Sequence, residues 1–359
     1  MLRVVSILLV SLVHIHALSN CDARDAISAD QVLTNNDKLI SSNGRFALGF
    51  FHTGSESSNT TKNWYIGIWF NKVPKQTPVW VANRQNPIID PTITELTLYL
   101  DGNLVILDKV TRAKVWSTEL GNTTTSNYTI AVLLNSGNLV LRKASNTSSI
   151  LWQSFDYPTD ALLPGAKAGR NKVSGLHYSR TSNRNMFDLA PGVYCSELDP
   201  AGVLQFVTKL CNSSIVYWSS GVWNGKYFSA LPGMSAVIES HMLIDYKFID
   251  NNEEEYFMYT LQDDTLTTFS LLDVSGQIKQ MIWHEGSQDW LAVDTQPKAQ
   301  CDIYAFCGPF TICICRDNMF PLCSWMKGFS IASQKSWDLG DQTSGCTRNY
   351  VLDCESKQR

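Results

Sequence analysis

The sequence lacks several common catalytic motifs. It contains no Gly-rich phosphate loop followed by Lys, no H-R-D or D-F-G kinase segment, no H-E-x-x-H zinc motif and no G-x-S-x-G nucleophile turn. Its six histidines are scattered, and His284 beside Glu285 lacks the second His of a zinc helix. These absences leave no sequence basis for catalysis, for a bound metal or for a cofactor.

Charge of one sign and long apolar runs are also scarce. The 29 basic and 33 acidic residues give a net charge of −4, and no stretch combines clustered Lys and Arg with aromatic residues. Nucleic acid is therefore not an expected partner. After Asn20 no uninterrupted apolar stretch reaches the roughly 20 residues that cross a bilayer, so we expect no membrane span in the mature chain.

The first 19 residues have the features of a secretory signal peptide. Arg3 precedes an apolar run, Val4 to Val13, and Ala17 and Ser19 are the small residues that a signal-peptidase site requires. The alternative is a buried N-terminal helix, but the basic start and the small-residue exit favour a signal. We therefore expect a mature chain that begins near Asn20 and is released to the cell exterior.

Cysteines are concentrated near the C-terminal end. Seven of the ten lie in the last sixty residues, at irregular spacings and without a His among them. In an oxidising compartment this pattern favours a disulfide module over a zinc site. Cys195 and Cys211 flank a turn signal at Asp199, so we expect a cross-strand disulfide, with two free buried thiols as the alternative. The disulfide candidates are Cys195, Cys211, Cys301, Cys307, Cys313, Cys315, Cys323 and Cys346.

Five Asn-x-Ser/Thr sequons permit N-linked glycosylation in the same compartment. They lie at Asn59, Asn122, Asn127, Asn146 and Asn212. A chain rich in Asn, Ser and Thr produces several by chance, so they agree with secretion without establishing it.

A repeat organises the first half of the chain. Tryptophans recur at an interval of 36 residues, at Trp80, Trp116 and Trp152. The segment LDGNLVIL at Leu100–Leu107 is echoed by NSGNLVLR at Asn135–Arg142 and more faintly by SNGRFALG at Ser42–Gly49. Asp-Gly and Ser-Gly between apolar residues predict tight turns followed by strands. Three such units cannot bury their apolar faces alone, so we expect three sheets around a shared axis, a β-prism.

Several long segments resemble known plant domains. FALGFF, WYIGIWF and VWVANRQNPI resemble the bulb-type mannose-binding lectin domain. WQSFDYPTDALLPG at Trp152–Gly165 and YWSSGVWNG at Tyr217–Gly225 resemble the S-locus glycoprotein domain, and CDIYAFCGPFTIC at Cys301–Cys313 resembles an EGF-like module. This order is that of the ectodomain of the plant G-type lectin S-receptor-like serine/threonine kinases.

The resemblance implies an all-β chain with five parts. They are a signal peptide at 1–19, a bulb-type lectin β-prism at 20–160, a β-rich S-locus glycoprotein domain at 161–295, an EGF-like module at 296–346 and the start of a truncated PAN-type region at 347–359. Full-length members of the family also carry a transmembrane helix, which places them in the plasma membrane, and a kinase domain.

The family's sugar site implies a set of candidate residues on two strands. Its pattern is Gln-x-Asp-x-Asn-x-Val-x-Tyr, in which alternate side chains face one side of a strand. The candidates are Tyr99, Asp101, Asn103, Val105, Asn138 and Val140. The better copy retains Asp, Asn and Val but has Tyr99 and Leu107 at the two ends, so we do not expect strong mannose binding, and weak or altered glycan binding is the remaining alternative. A turn-forming role for Asp101 and Asn103 is the alternative.

The resemblance also implies six paired cysteines in the EGF-like module. Five occupy expected places, Trp325 stands at the sixth, and Cys315 is additional. Either Cys315 pairs with Cys346, or one thiol stays free.

Three functions follow as hypotheses. The first is a recognition ectodomain for pollen, self or defence signals, with an unknown peptide, protein or glycan ligand and with homo- or hetero-association with receptor kinases. The second is a secreted mannose-binding defence lectin. The third is a truncated product of a receptor-kinase locus with little activity.

Overall fold

The computed structural model describes residues 24–29, 31–53, 62–121, 128–231, 234, 244–263, 265–315 and 322–350. The expected signal peptide, the sequons at Asn59, Asn122 and Asn127, and residues 351–359 of the expected PAN-type region lie outside these ranges. Within the described ranges, no helix has the length and apolar character needed to cross a bilayer.

Three four-stranded antiparallel sheets occupy residues 26–153. The first sheet contains β1 (Ala26–Ile27), β10 (Thr129–Leu133), β11 (Leu139–Lys143) and β12 (Asn146–Gln153). The second contains β2 (Val32–Leu33), β7 (Thr94–Leu98), β8 (Leu104–Asp108) and β9 (Lys114–Ser117). The third contains β3 (Lys38–Ile40), β4 (Phe46–His52), β5 (Trp64–Phe70) and β6 (Pro78–Val81). Because β1, β2 and β3 each join a different sheet, the N-terminal segment ties all three together.

The repeating tryptophans meet at the centre of these sheets. The ring centroids of Trp80, Trp116 and Trp152 are 5.9 to 6.0 Å apart, with interplanar angles of 70° to 75°. Edge-to-face contacts of this kind are favourable for aromatic rings. Leu48, Ile106 and other apolar residues of all three sheets complete the core. The prediction of a β-prism is confirmed.

Glycine turns give the three sheets a common local geometry. Gly44, Gly102 and Gly137 have positive φ angles of 72°, 88° and 82°, which favour glycine over other residues. Each glycine amide donates to the carbonyl three residues earlier, at distances of 2.7, 2.9 and 3.0 Å. The faint echo in SNGRFALG is therefore a true third copy of the turn.

A second set of three four-stranded sheets occupies residues 161–296. One contains β13 (Ala161–Leu162), β22 (Thr268–Leu272), β23 (Ile278–His284) and β24 (Asp289–Gln296). Another contains β14 (Ala168–Asn171), β15 (His177–Tyr178), β20 (Ile244–Asp250) and β21 (Glu254–Leu261). The last contains β16 (Arg180–Asn183), β17 (Pro191–Leu198), β18 (Phe206–Leu210) and β19 (Val216–Ser219). The sequence predicted a β-rich region here but not this repetition of the prism.

The second prism reuses the glycine turn of the first. Gly202 and Gly276 have positive φ angles of 83° and 86°, and their amides donate to the carbonyls of Asp199 and Asp273 at 3.1 and 3.0 Å. The two prisms are thus built on the same turn chemistry despite their different sequences.

The prisms pack against each other through aromatic rings. Phe70 of β5 lies 5.8 Å from Phe269 and 5.1 Å from Trp290, measured between ring centroids. The indole nitrogen of Trp290 donates to the hydroxyl of Thr77 at 2.8 Å. The apolar core of the first prism therefore continues into the sheet that contains β22 and β24.

A buried arginine also joins the two prisms. The guanidinium of Arg84 donates to the backbone carbonyls of Leu189 and Ser182 at 2.8 Å and to the side-chain oxygen of Asn183 at 2.8 Å. Burial lowers the pKa of Arg84, because the charged form loses its hydration. This one side chain satisfies several acceptors of the second prism.

The region after 296 is small and irregular. It contains the hairpin of β25 (Thr311–Ile314) and β26 (Leu322–Trp325), the pair β27 (Phe329–Ile331) and β28 (Cys346–Arg348), and the helix α1 (Gln334–Asp338).

Candidate functional site

Asn103, at the start of β8, has an internal role. Its side-chain oxygen accepts hydrogen bonds from the hydroxyl of Thr118 at 3.1 Å and from the amide of Leu120 at 2.7 Å. The carboxylate of Asp101 accepts from the amide of Asn103 at 2.9 Å, which closes the Asp-Gly turn. Asn103 is buried, so its oxygen fastens β8 to the segment that follows β9.

Asn138 repeats this arrangement at the start of β11. Its side-chain oxygen accepts from the hydroxyl of Ser154 at 3.1 Å and from the amide of Phe155 at 3.2 Å. Its amide nitrogen donates to Gln153 at 2.9 Å. The two asparagines therefore occupy equivalent places in two sheets. Each accepts a hydrogen bond from a backbone amide in the segment that follows the last strand of its sheet.

The remaining candidates for sugar binding are largely closed to solvent. Val105 is 0% exposed and Val140 is 1% exposed. Tyr99 is partly buried, with the ammonium of Lys114 5.4 Å from its ring centroid. The structure places one group of candidates on the second sheet and the other on the first, so they form two separate faces. Glycan binding by these residues stays a prediction.

The outer face of the third sheet is covered by the second prism. Phe51, Tyr65 and Val81 pack there against Leu189. The amide of Leu189 donates to the hydroxyl of Tyr65 at 3.3 Å, and burial raises the pKa of that phenol. This face offers no open groove to a ligand within the described part of the chain.

Two sequons lie on exposed parts of the described structure. Asn146 begins β12 and Asn212 lies in the turn between β18 and β19, and both are exposed. Both positions would accommodate a glycan without loss of core packing.

The cysteines form two unambiguous pairs. Cys195 is bonded to Cys211, and Cys307 is bonded to Cys323. Cys301 lies at bonding distance from both Cys313 and Cys315. Because a sulfur forms only one disulfide, one of these three residues carries a thiol. Their sulfurs lie within 4.8 Å of one another, close enough for metal ligation only if the disulfide is reduced.

Cys346 corrects the list of disulfide candidates. It lies buried in β28 without a disulfide partner among the described residues, so the alternative in which it pairs with Cys315 does not occur. The expected partner position holds Trp325, whose ring is 53% exposed on β26. The other alternative from the sequence, a free thiol, describes the structure.

Two buried arginines escaped the sequence analysis. Arg84 and Arg180 are 7% and 6% exposed; Arg84 lies within the segment VWVANRQNPI, but no role was assigned to it, and Arg180 belongs to no quoted motif. Each acquires its environment only when the second prism forms, so no local spacing in the sequence identifies it.

Two family models match this chain. A family model described as D-mannose binding lectin matches residues 77–184, and one described as S-locus glycoprotein domain matches residues 218–333. An S-locus-specific glycoprotein from Brassica oleracea is 34% identical over 325 residues, which cover 90% of this chain and 71% of the relative. The chain belongs to the S-locus glycoprotein and G-type lectin S-receptor family.

Receptor kinases of this family are also similar. A G-type lectin S-receptor-like serine/threonine-protein kinase from Arabidopsis thaliana is 38% identical over 336 residues, which cover 92% of this chain and 39% of the relative. The chain thus spans about two fifths of that kinase's length. It corresponds to a lectin and S-locus glycoprotein ectodomain related to receptor kinases.

Among solved structures, monomeric mannose-binding lectins from Gastrodia elata match 36% of this chain and 96% of their own length. Their sequence identity is 18% and the TM-score is 0.27.

Proposed function

We propose that the chain is a secreted or cell-surface recognition ectodomain that binds a ligand or a partner receptor and has no catalytic activity of its own. Its extracellular ligand is a peptide, a protein or a glycan, and it associates with itself or with receptor kinases of the same family. Family membership and the two unambiguous disulfides in the described structure support an extracellular role.

One observation carries the preference for protein or peptide signals over mannose. The side-chain oxygens of Asn103 and Asn138 accept hydrogen bonds from within the prism. Val105 and Val140, the expected apolar contacts of a sugar ring, are closed to solvent. A sugar would have to displace these internal contacts, and each buried hydrogen-bonding group left without a partner costs about 1–3 kcal/mol. Recognition of pollen, self or defence signals is the role proposed for this ectodomain.

A mannose-binding defence lectin is the second candidate. The match of residues 77–184 to the mannose-binding lectin model favours it. A product with little activity is the third function considered. The buried apolar clusters of both prisms support a chain that folds.

A glycan array of the secreted chain separates the first two candidates. The variant Asn103→Ala removes a group of the expected sugar site, and Thr118→Ala removes its internal hydrogen-bond partner as a matched control. We expect no mannose-type binding by the native chain. Mannose binding that is lost in Asn103→Ala and kept in Thr118→Ala would instead establish a working lectin.

A further inference from the structure

The three sheets of the second prism line a partly open cavity of about 450 Å³. Apolar side chains from all three sheets line it, among them Leu162, Phe206, Trp218, Phe257 and Ile282. In the first prism the corresponding space is filled by three tryptophan rings in mutual contact. A volume of this size lies within the range of small-molecule sites, about 300–1,000 Å³.

Strand register shows how one side of the cavity arises. In the first prism, Leu33, Leu96, Ile106 and Trp116 stand side by side across the second sheet. The row at the same place in the sheet of β16 to β19 is Arg180, Ser196, Thr208 and Trp218. Three of the four positions that are apolar in the first prism are therefore polar in the second.

A second sheet has changed in the same way. The first prism has the row Ile27, Ala131, Leu141 and Trp152. The second prism has Leu162, Ser270, Gln280 and Asp294, so a carboxylate stands where a tryptophan fills the axis of the first. Loss of that ring opens the axis, and the polar side chains concentrate on two walls.

Arg180 is the charged group of this interior. It is 6% exposed, and its guanidinium donates to the hydroxyl of Ser270 at 2.9 Å. No carboxylate in the described part of the chain forms an ion pair with it, although Tyr259 and Asp160 act on it electrostatically. A guanidinium has five N–H donors, so Arg180 retains donors for an acceptor inside the cavity.

Two hydroxyl groups near Arg180 lack hydrogen-bond partners in the described structure. The hydroxyls of Ser196 and Thr208, in the row of Arg180, are buried and make no hydrogen bond with any described residue. At the cavity wall Lys298 pairs with Asp294 at 2.6 Å, so these two charges offset each other. Among the charged residues that line the cavity, Arg180 is therefore the one without an ion-pair partner in the described part of the chain.

We propose that the cavity of the second prism binds a small amphipathic anion. The anionic group lies on the guanidinium of Arg180, and the apolar body lies against Phe206, Trp218 and Phe257. A buried arginine binds a carboxylate or sulfonate through charge-assisted hydrogen bonds, which are stronger than neutral ones. The proposal does not depend on what the lectin faces recognise.

Two fluorescent probes test this on the secreted chain. Anilinonaphthalene sulfonate carries an anionic group, and N-phenylnaphthylamine has the same ring system without it. We expect one equivalent of the sulfonate to bind, at least about tenfold tighter than the neutral probe. Arg180→Gln should weaken the sulfonate by about tenfold to a hundredfold and change the affinity for the neutral probe by less than about twofold.

Two further variants control the experiment. Arg184→Gln alters an exposed arginine of the same prism, paired with Asp188, and should leave both probes unaffected. Asp294→Trp introduces the residue of the first prism and should weaken both probes by filling the cavity, with cooperative thermal unfolding retained as evidence of folding. Absence of binding, equal loss of both probes in Arg180→Gln, or binding unaffected by Arg180→Gln and Asp294→Trp would overturn the proposal.

Discussion

The two prisms share a backbone plan but differ at their axes. Both consist of three four-stranded antiparallel sheets, and both use glycine turns with positive φ. The first closes its axis with three tryptophans, whereas the second keeps one equivalent tryptophan, Trp218, and has a partly open cavity. The glycine turns are therefore common to both prisms, whereas the side chains that point toward the axis determine whether the interior is filled or contains a cavity.

The largest expected effect is on the packed axis. Trp152→Ala should lower the free energy of unfolding by about 3–5 kcal/mol, because it removes a buried ring from contact with Trp80 and Trp116. The matched change Trp218→Ala enlarges an existing cavity and should cost only about 1–2 kcal/mol. Denaturant titration followed by circular dichroism measures both, and equal losses would show that the second axis is as tightly packed as the first.

A smaller effect is expected at the junction of the prisms. Arg84→Met leaves the carbonyls of Leu189 and Ser182 without their donor, which should cost about 2–3 kcal/mol. It should also separate the unfolding of the two prisms into distinct calorimetric transitions. Arg184→Met, at an exposed ion pair with Asp188, should change stability by less than about 1 kcal/mol. A single unshifted transition in Arg84→Met would mean that the aromatic contacts alone couple the prisms.

The first prism could be predicted because its signals are local or periodic. Tryptophans at equal intervals and an Asp-Gly, Ser-Gly or Asn-Gly turn in each sheet are visible in the sequence. In the second prism the turns at Asp199 and Asp273 are equally legible, but Asp294 replaces a tryptophan and polar residues interrupt the apolar rows. With the periodic signal gone, the sequence indicated strands there but not their arrangement.

The candidate site was less predictable for a different reason. A strand pattern assigns Asn103 and Asn138 to a face, but their partners lie 15 and 16 residues away, at Thr118 and Ser154. Arg84 finds its acceptors about a hundred residues later in the chain, at a separation of 98 for Ser182. Such contacts depend on how sheets close on one another, which no local spacing reveals.

The smallest expected effect has the opposite sign. Arg180→Leu places in the second prism the residue type that Leu33 contributes to the first. Because the native guanidinium is desolvated and has no ion-pair partner among the described residues, we expect the unfolding free energy to rise by about 1 kcal/mol.

The contrast with a paired arginine gives that result its meaning. Arg170 donates to the buried carboxylate of Glu255 at 2.7 and 3.0 Å. Arg170→Leu leaves that carboxylate without its partner, so the unfolding free energy should fall by about 3 kcal/mol. Thermal and denaturant unfolding of both variants measure the difference. If Arg180→Leu lost as much stability as Arg170→Leu, Arg180 would be a structural group of the prism. If Arg180→Leu instead raises the unfolding free energy and abolishes binding of the sulfonate probe, the buried charge of Arg180 lowers the stability of the second prism and serves ligand binding.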